Sequence, residues 1–139
     1  MSDHLWDVIA GADLGTLATI KRDGRPQLSD VNYTAVPGLI RFSTMSSLAK
    51  VHNLRRDPRA SFKVTASSGV GGYAVAEAIA ELSASARQID DDTVIELVDV
   101  YRRIVGEHPD WDDYRRAMVN DGRIVVRLHV ERVYGWVTG

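Results

Sequence analysis

Cysteine is absent from the 139 residues, which removes disulfides, thiolate metal sites and cysteine nucleophiles together. Long apolar runs are missing as well: none approaches the ~18 residues of a membrane span. The first ten residues interrupt their apolar positions with Asp3, His4 and Asp7, so neither secretion nor membrane contact is expected and a reducing, cytoplasmic setting is. His4, His108 and His129 have no spacing that would gather a metal, and no metal site is expected; His52, beside Asn53, is placed either to face a ligand or to cap and pack. A Ser-His-Asp order is not visible. Gly69-Val70-Gly71-Gly72 is glycine-rich but precedes a strand pattern, unlike a dinucleotide fingerprint, which opens a helix. Net charge is only −2, and no nucleic-acid motif accompanies it, so nucleic acid is not an expected partner.

What is present describes one packed domain. The length suits a single domain, and an apolar share of 45% against 26% charged residues is that of a soluble globular chain with a real core. Charge is unevenly placed. Between 41 and 63 the cations Arg41, Lys50, Arg55, Arg56, Arg59 and Lys63 face one acid, Asp57; between 77 and 121 acids dominate, among them Asp90, Asp91, Asp92, Glu96 and Asp99. That asymmetry points to a local anion site.

Periodicity supplies the elements. Residues 3–11 read as a short helix, with Leu5, Val8 and Ile9 at helical spacing and Gly11 at its end. A strand over 16–20, the turn Asp23-Gly24 and an extended run over 26–36 make a hairpin, and Pro37-Gly38 turns the chain into a third strand over 39–44. Ser46 or Ser47 is placed to cap a helix from Leu48 to about Arg56, which Asp57-Pro58 stops. A strand over 60–65, a flexible glycine loop over 66–72 and a strand over 73–84 follow. Val94, Leu97, Val98, Tyr101 and Ile104 then mark an amphipathic helix opened by Asp90, Asp91 and Asp92. A shorter helix runs from Asp110 to Met118, and alternation over 123–137 marks a long half-buried strand. The order predicts a mainly β fold, a β-barrel with helical decoration.

The segment 43–53, SerThrMetSerSerLeuAlaLysValHisAsn, carries the clearest chemistry. A strand ends in hydroxyls and runs into a helix start bearing Lys50, so backbone N–H groups, hydroxyls and an ammonium can converge on one anion, phosphate being the natural guest. The same residues also fit an ordinary capped helix with an exposed lysine. Arg55 and Arg56 suit a solvated helix C-terminus, and Trp111, Tyr114 and Trp136 suit core or interface positions.

Several stretches resemble the split β-barrel family of pyridoxamine-phosphate oxidases and, more closely, its actinobacterial deazaflavin-dependent reductases, which use coenzyme F420. They are LeuAlaThrIleLys (17–21), GlyArgProGlnLeuSer (24–29), AsnLeuArgArgAspProArgAlaSer (53–61), TyrAlaValAlaGlu (73–77), the segment 101–119 and ValTyrGly (133–135). The resemblance implies an FMN-binding-type split β-barrel and a homodimer with a cofactor groove across its two-fold axis. It also implies a reductase that transfers a hydride from F420, or alternatively uses FMN, to a small-molecule substrate, with a non-enzymatic cofactor carrier as the remaining alternative on this fold. By that resemblance Lys50 matches the cofactor-phosphate lysine, Ser43 and Asn53 neighbouring contacts, Gln27 and Ser29 the strand along the ring system, and Tyr73 a residue approaching from the partner subunit. Leu48 stands where many relatives place arginine or glutamine. No proton donor is marked, and solvent serves by default.

Overall fold

The structure, a computed structural model, describes residues 3–66 and 71–138. Its hairpin of β1 (Leu14–Ile20) and β2 (Pro26–Asn32) turns where the Gly24 N–H donates to the Lys21 carbonyl at 2.9 Å. The extended run expected over 26–36 is not one strand. It breaks at Tyr33 into β2 and β3 (Thr34–Val36), and the two belong to different strand pairs: β2 to β1, β3 to β4 (Leu39–Met45). Tyr33 leaves the ladder because its N–H donates to the Asp13 carbonyl at 3.0 Å and its hydroxyl to the Ile9 carbonyl at 2.5 Å. Polar alternation continues through the break, so periodicity does not register it.

The remaining strands are β5 (Arg59–Thr65), β6 (Gly72–Leu82) and β7 (Arg123–Val137), and the antiparallel sheet has the order β2-β1-β5-β6-β7-β4-β3. Its two edge strands are therefore joined through one residue. Asn32 and Thr34 lie within the roughly 7 Å that two residue steps span, so the edges meet there and the sheet curls into a half-barrel, the mainly β barrel with helices expected from the sequence. The middle of the glycine loop expected over 66–72 lies outside the described residues.

Alternation decides what each strand buries. Leu17, Ile40, Phe42, Phe62, Val64, Ile124, Val126 and Leu128 point into the barrel, joined by Trp6 and Ile9 of α1 (Asp3–Ala10) and by Val51 and Leu54 of α2 (Ala49–Arg56). Tyr33 meets Phe62 edge-on at 4.8 Å. A second cluster forms on the outside, where α3 (Asp92–Ile104) and α4 (Trp111–Asp121) cover Val125 with Val94, Leu97, Tyr114 and Met118. Asp91 caps α3 by accepting from the Val94 N–H, and Asp110 caps α4 by accepting from the Asp113 N–H. At Gly135, with φ +153°, a side chain would press to 2.2 Å from the Tyr73 carbonyl oxygen, so only glycine lets β7 approach β6 there. Among the described residues no helix is long and apolar enough to cross a membrane.

One expectation about α2 is corrected. Neither Ser46 nor Ser47 caps it; Leu48 holds the cap position with no side-chain hydrogen bond. The turn before the helix is made instead by the backbone, with the Leu48 N–H donating to the Met45 carbonyl at 3.3 Å.

Ion pairs clamp α3 to the sheet. Arg41 of β4 donates to Glu96 at 3.3 Å and to Asp99 at 2.8 Å, while Arg127 of β7 forks onto both Glu96 oxygens. Burial alone would raise the Glu96 pKa, but the Arg127 and Arg41 hydrogen bonds and charges outweigh it and hold the carboxyl below its ordinary 4.5. Hydrogen bonding from Arg41 is the main cause of the same lowering at Asp99.

Two outcomes are expected. Tyr33→Phe removes a buried hydroxyl bond and leaves the Ile9 carbonyl unpaired, so urea unfolding should register a loss of about 1–3 kcal/mol; an unchanged midpoint would show that closure does not depend on it. Because the folded-state pKa of Glu96 is depressed, its contribution is complete above its unfolded value and lost as pH falls through the folded one. The stability gap between wild type and Glu96→Gln should therefore be constant above about pH 4.5 and shrink on acidification. A gap that does not change with pH would remove the clamp.

Candidate functional site

The curl that brings β2 and β3 together also sets the end of β2 beside the end of β4. Between them lies a groove of about 470 Å³, floored by Ser43, Thr44 and Met45, edged by Asp30 to Asn32 and walled by Val100, Tyr101 and Ile104 of α3. Lys50, in the first turn of α2, lines it half-buried. This is not the exposed lysine of an ordinary helix start.

Arg123 enters the same groove from the opposite end of the chain. Gly122 closes α4 in the left-handed conformation, φ +60°, so the chain turns directly from helix into β7 with Arg123 as its first residue. Arg123 donates to the Ser43 hydroxyl at a long 3.4 Å. Nothing in the sequence singles it out, since an arginine opening a strand is ordinary; its meaning comes from the pairing of Met45 with Arg123 across β4 and β7.

Lys50 has no hydrogen bond or ion pair among the described residues. Burial first, and then the charge of Arg123, push its ammonium below its ordinary pKa. Asp30 is the one carboxylate lining the groove, and its Oδ1 accepts from the Thr16 hydroxyl at 3.0 Å. The charge asymmetry of the sequence is thus partly internal: Arg41 is neutralised by α3 and Arg59 pairs with Asp57 at 2.8 Å. Of the cations without an ion pair, Lys50 is the one that lines this groove.

The other candidate residues lie apart from Lys50 and Ser43. Asn53 is buried, its amide donating to Thr19 at 3.1 Å and Gln27 at 2.8 Å while its oxygen accepts from Arg56 at 3.1 Å. It pins α2 to the β1–β2 hairpin. Arg56, expected as a solvated helix end, also donates to the Ile20 carbonyl at 2.7 Å. Gln27 and Asn53 line a separate hollow of about 650 Å³ with His52, Lys21, Arg22 and Arg55. Ser29 sits half-buried opposite Leu17. Tyr73 stands on the outer face of β6, paired with Trp136, its ring 5.8 Å from the Lys63 ammonium. Asp30 borders both the Lys50 groove and an outer hollow that Lys63 and Thr65 line.

An unpaired ammonium, a guanidinium and a hydroxyl beside an apolar wall suit a ligand with an anionic group and a flat apolar body. A phosphate-bearing redox cofactor fits that donor set.

Comparison with known proteins identifies the family and the fold. The sequence model described as pyridoxamine 5'-phosphate oxidase matches residues 1–137. Among solved structures, the conserved hypothetical protein Rv2991 from Mycobacterium tuberculosis is 30% identical over 99% of this chain and 85% of its own, with a TM-score of 0.76. An F420 reductase superposes with a TM-score of 0.71 at 15% identity, covering 96% of this chain and 98% of its own. HutZ, the haem storage protein of Vibrio cholerae, does so at 0.68 and 14%, over 98% and 93%. The last two show the fold alone.

The amide of Asn53 generates a prediction. Asn53→Ala removes the donor to buried Thr19 and half-buried Gln27, so denaturation of the protein without ligand should show a loss of about 1–3 kcal/mol. Unaltered stability would mean that Asn53 does not hold α2.

Proposed function

The chain belongs to the pyridoxamine 5'-phosphate oxidase family, and on that footing we propose that it is a cytoplasmic F420-dependent reductase working as a homodimer. The observation that carries this reading is the half-buried Lys50, unpaired beside Ser43 in an apolar-walled groove. The resembling stretches spread along the chain, 53–61 directly after this segment among them, and the existence of an F420 reductase on the same fold support the choice of cofactor. When bound, the deazaflavin supplies the hydride for an unsaturated small-molecule acceptor.

This chain's own residues bind and shield. Lys50 supplies a charge-assisted hydrogen bond to the cofactor phosphate and Ser43 a hydroxyl beside it. Val100, Ile104 and Tyr101 exclude water from the groove, which strengthens both contacts. Gln27 and Ser29 lie on the strand assigned to the ring, with Gln27 held by Asn53. Solvent supplies the proton that accompanies the hydride.

A dimer would complete the site. At outward-facing positions of β2, β6 and β7, Leu28 is 64% exposed, Tyr73 37% and Trp136 57%, leaving an apolar face open to solvent. Covering that apolar face with a second copy would bury it and bring the partner subunit's Tyr73 toward the groove.

Titrating F420, FMN and haem side by side should show F420 binding tightest. A protein that is yellow as purified and releases FMN on denaturation would replace this reading with the flavin one; haem binding alone would replace it with storage. F420 binding without turnover of any acceptor would make the protein a carrier. Lys50→Ala should weaken cofactor binding by about 1.5–3 kcal/mol, less at high salt, and Arg55→Ala far less. Sedimentation should give twice the chain mass, and a monomer at working concentration would remove the shared site.

A further inference from the structure

Arg123 sits in the groove with its donors incompletely satisfied. Its Nε is buried without a hydrogen-bond partner, Asp121 stands 3.9 Å away, too far to accept, and the contact with Ser43 is long at 3.4 Å. A buried donor left unmade costs free energy, and a second cation, Lys50, lines the same groove. Their mutual repulsion is part of what depresses the lysine. Elsewhere in this chain such cations are neutralised: Arg41 and Arg127 are both forked onto α3 carboxylates. Among the described residues neither Asp121 nor the groove's Asp30, whose Oδ1 accepts from Thr16, hydrogen-bonds Arg123 or Lys50, so most donors of the two cations stay open to an anion from outside.

We propose that Arg123 is a second phosphate ligand, forming with Lys50 and Ser43 a two-cation clamp that makes the groove select phosphate-bearing ligands over their phosphate-free counterparts. The ring that carries the phosphate is taken from the proposed function; the anion clamp is not. A guanidinium presents several donors in one plane, suited to two phosphate oxygens at once, where the ammonium acts as a point charge. Chain topology gives the clamp a further consequence. Lys50 rides on α2 and Arg123 on the α4–β7 junction, so one bound phosphate ties together elements far apart in sequence and should stiffen the groove.

The test uses the full chain, Arg123→Gln and Arg123→Lys, and three kinds of probe: F420 and FMN, the phosphate-free deazaflavin riboside and riboflavin, and inorganic pyrophosphate. Arg123→Gln should weaken the phosphate-bearing compounds by about tenfold to a hundredfold and leave the phosphate-free ones within about twofold. Arg123→Lys should keep part of the preference. Without ligand, Arg123→Gln should melt no lower than wild type, because the substitution removes an unpaired donor and a repulsion. Pyrophosphate should raise the melting temperature of wild type but not of Arg123→Gln. Equal loss for phosphorylated and phosphate-free rings, or no loss for either, would overturn the clamp. If no ring binds while pyrophosphate stabilises wild type alone, the clamp stands and the cofactor reading falls; if neither rings nor pyrophosphate bind, both fall.

Discussion

One residue joins the two edges of the sheet, and the rest of the structure depends on that joint. Tyr33 sits between β2 and β3, which occupy opposite ends of the strand order. A flat sheet cannot have both its edges within two residue steps of each other. Curling is therefore a covalent necessity once β1 has paired with β2 and β4 with β3. The tyrosine then serves twice: its N–H and hydroxyl tie down the chain leaving α1, through Asp13 and Ile9, and its ring fills the barrel against Phe62. The groove inherits its shape from the same joint, because Asp30 to Asn32 reach the end of β4 only through the curl.

Charge is distributed by a second rule, that a partly buried ion needs an opposite partner close by. The helix α3 supplies Glu96 and Asp99 to Arg41 and Arg127 and so fastens itself across β4 and β7. Its far end, at Tyr101 and Ile104, walls the groove. Lys50 and Arg123 lie beyond the reach of those acids. Both cations line one apolar-walled groove, which gives a protein of nearly neutral balance a local field for an anion.

Much of this architecture was legible from residue order. Two-residue alternation marks β7 because one face of that strand packs the barrel and the other meets α3, α4 and solvent; helical spacing and acidic caps mark α3 and α4 for equally local reasons. The break at Tyr33 was not legible, because alternation continues through it and only the long-range partners of each half differ. The serine cap of α2 failed for a related reason: capping is a matter of local backbone geometry, and at Leu48 the preceding turn already satisfies the backbone. Of the candidate site, Lys50 and Ser43 share a groove as their spacing suggested, whereas Gln27 and Asn53 are bonded to each other in a different hollow.

By itself the sequence determined the class of fold, the acidic starts of α3 and α4, the absence of thiol chemistry and the lysine at the start of α2, all properties that depend on composition or on neighbours within a few residues. Tertiary structure alone decided which cations remain unpaired. Arg41 and Arg123 are alike as letters in the chain, and each opens or lines a strand of the same pair. Pairing of β4 with β7 places Arg41 beneath the carboxylates of α3 and Arg123 beside Ser43 and Lys50, because electrostatic energy depends on distance in space and not on separation along the chain.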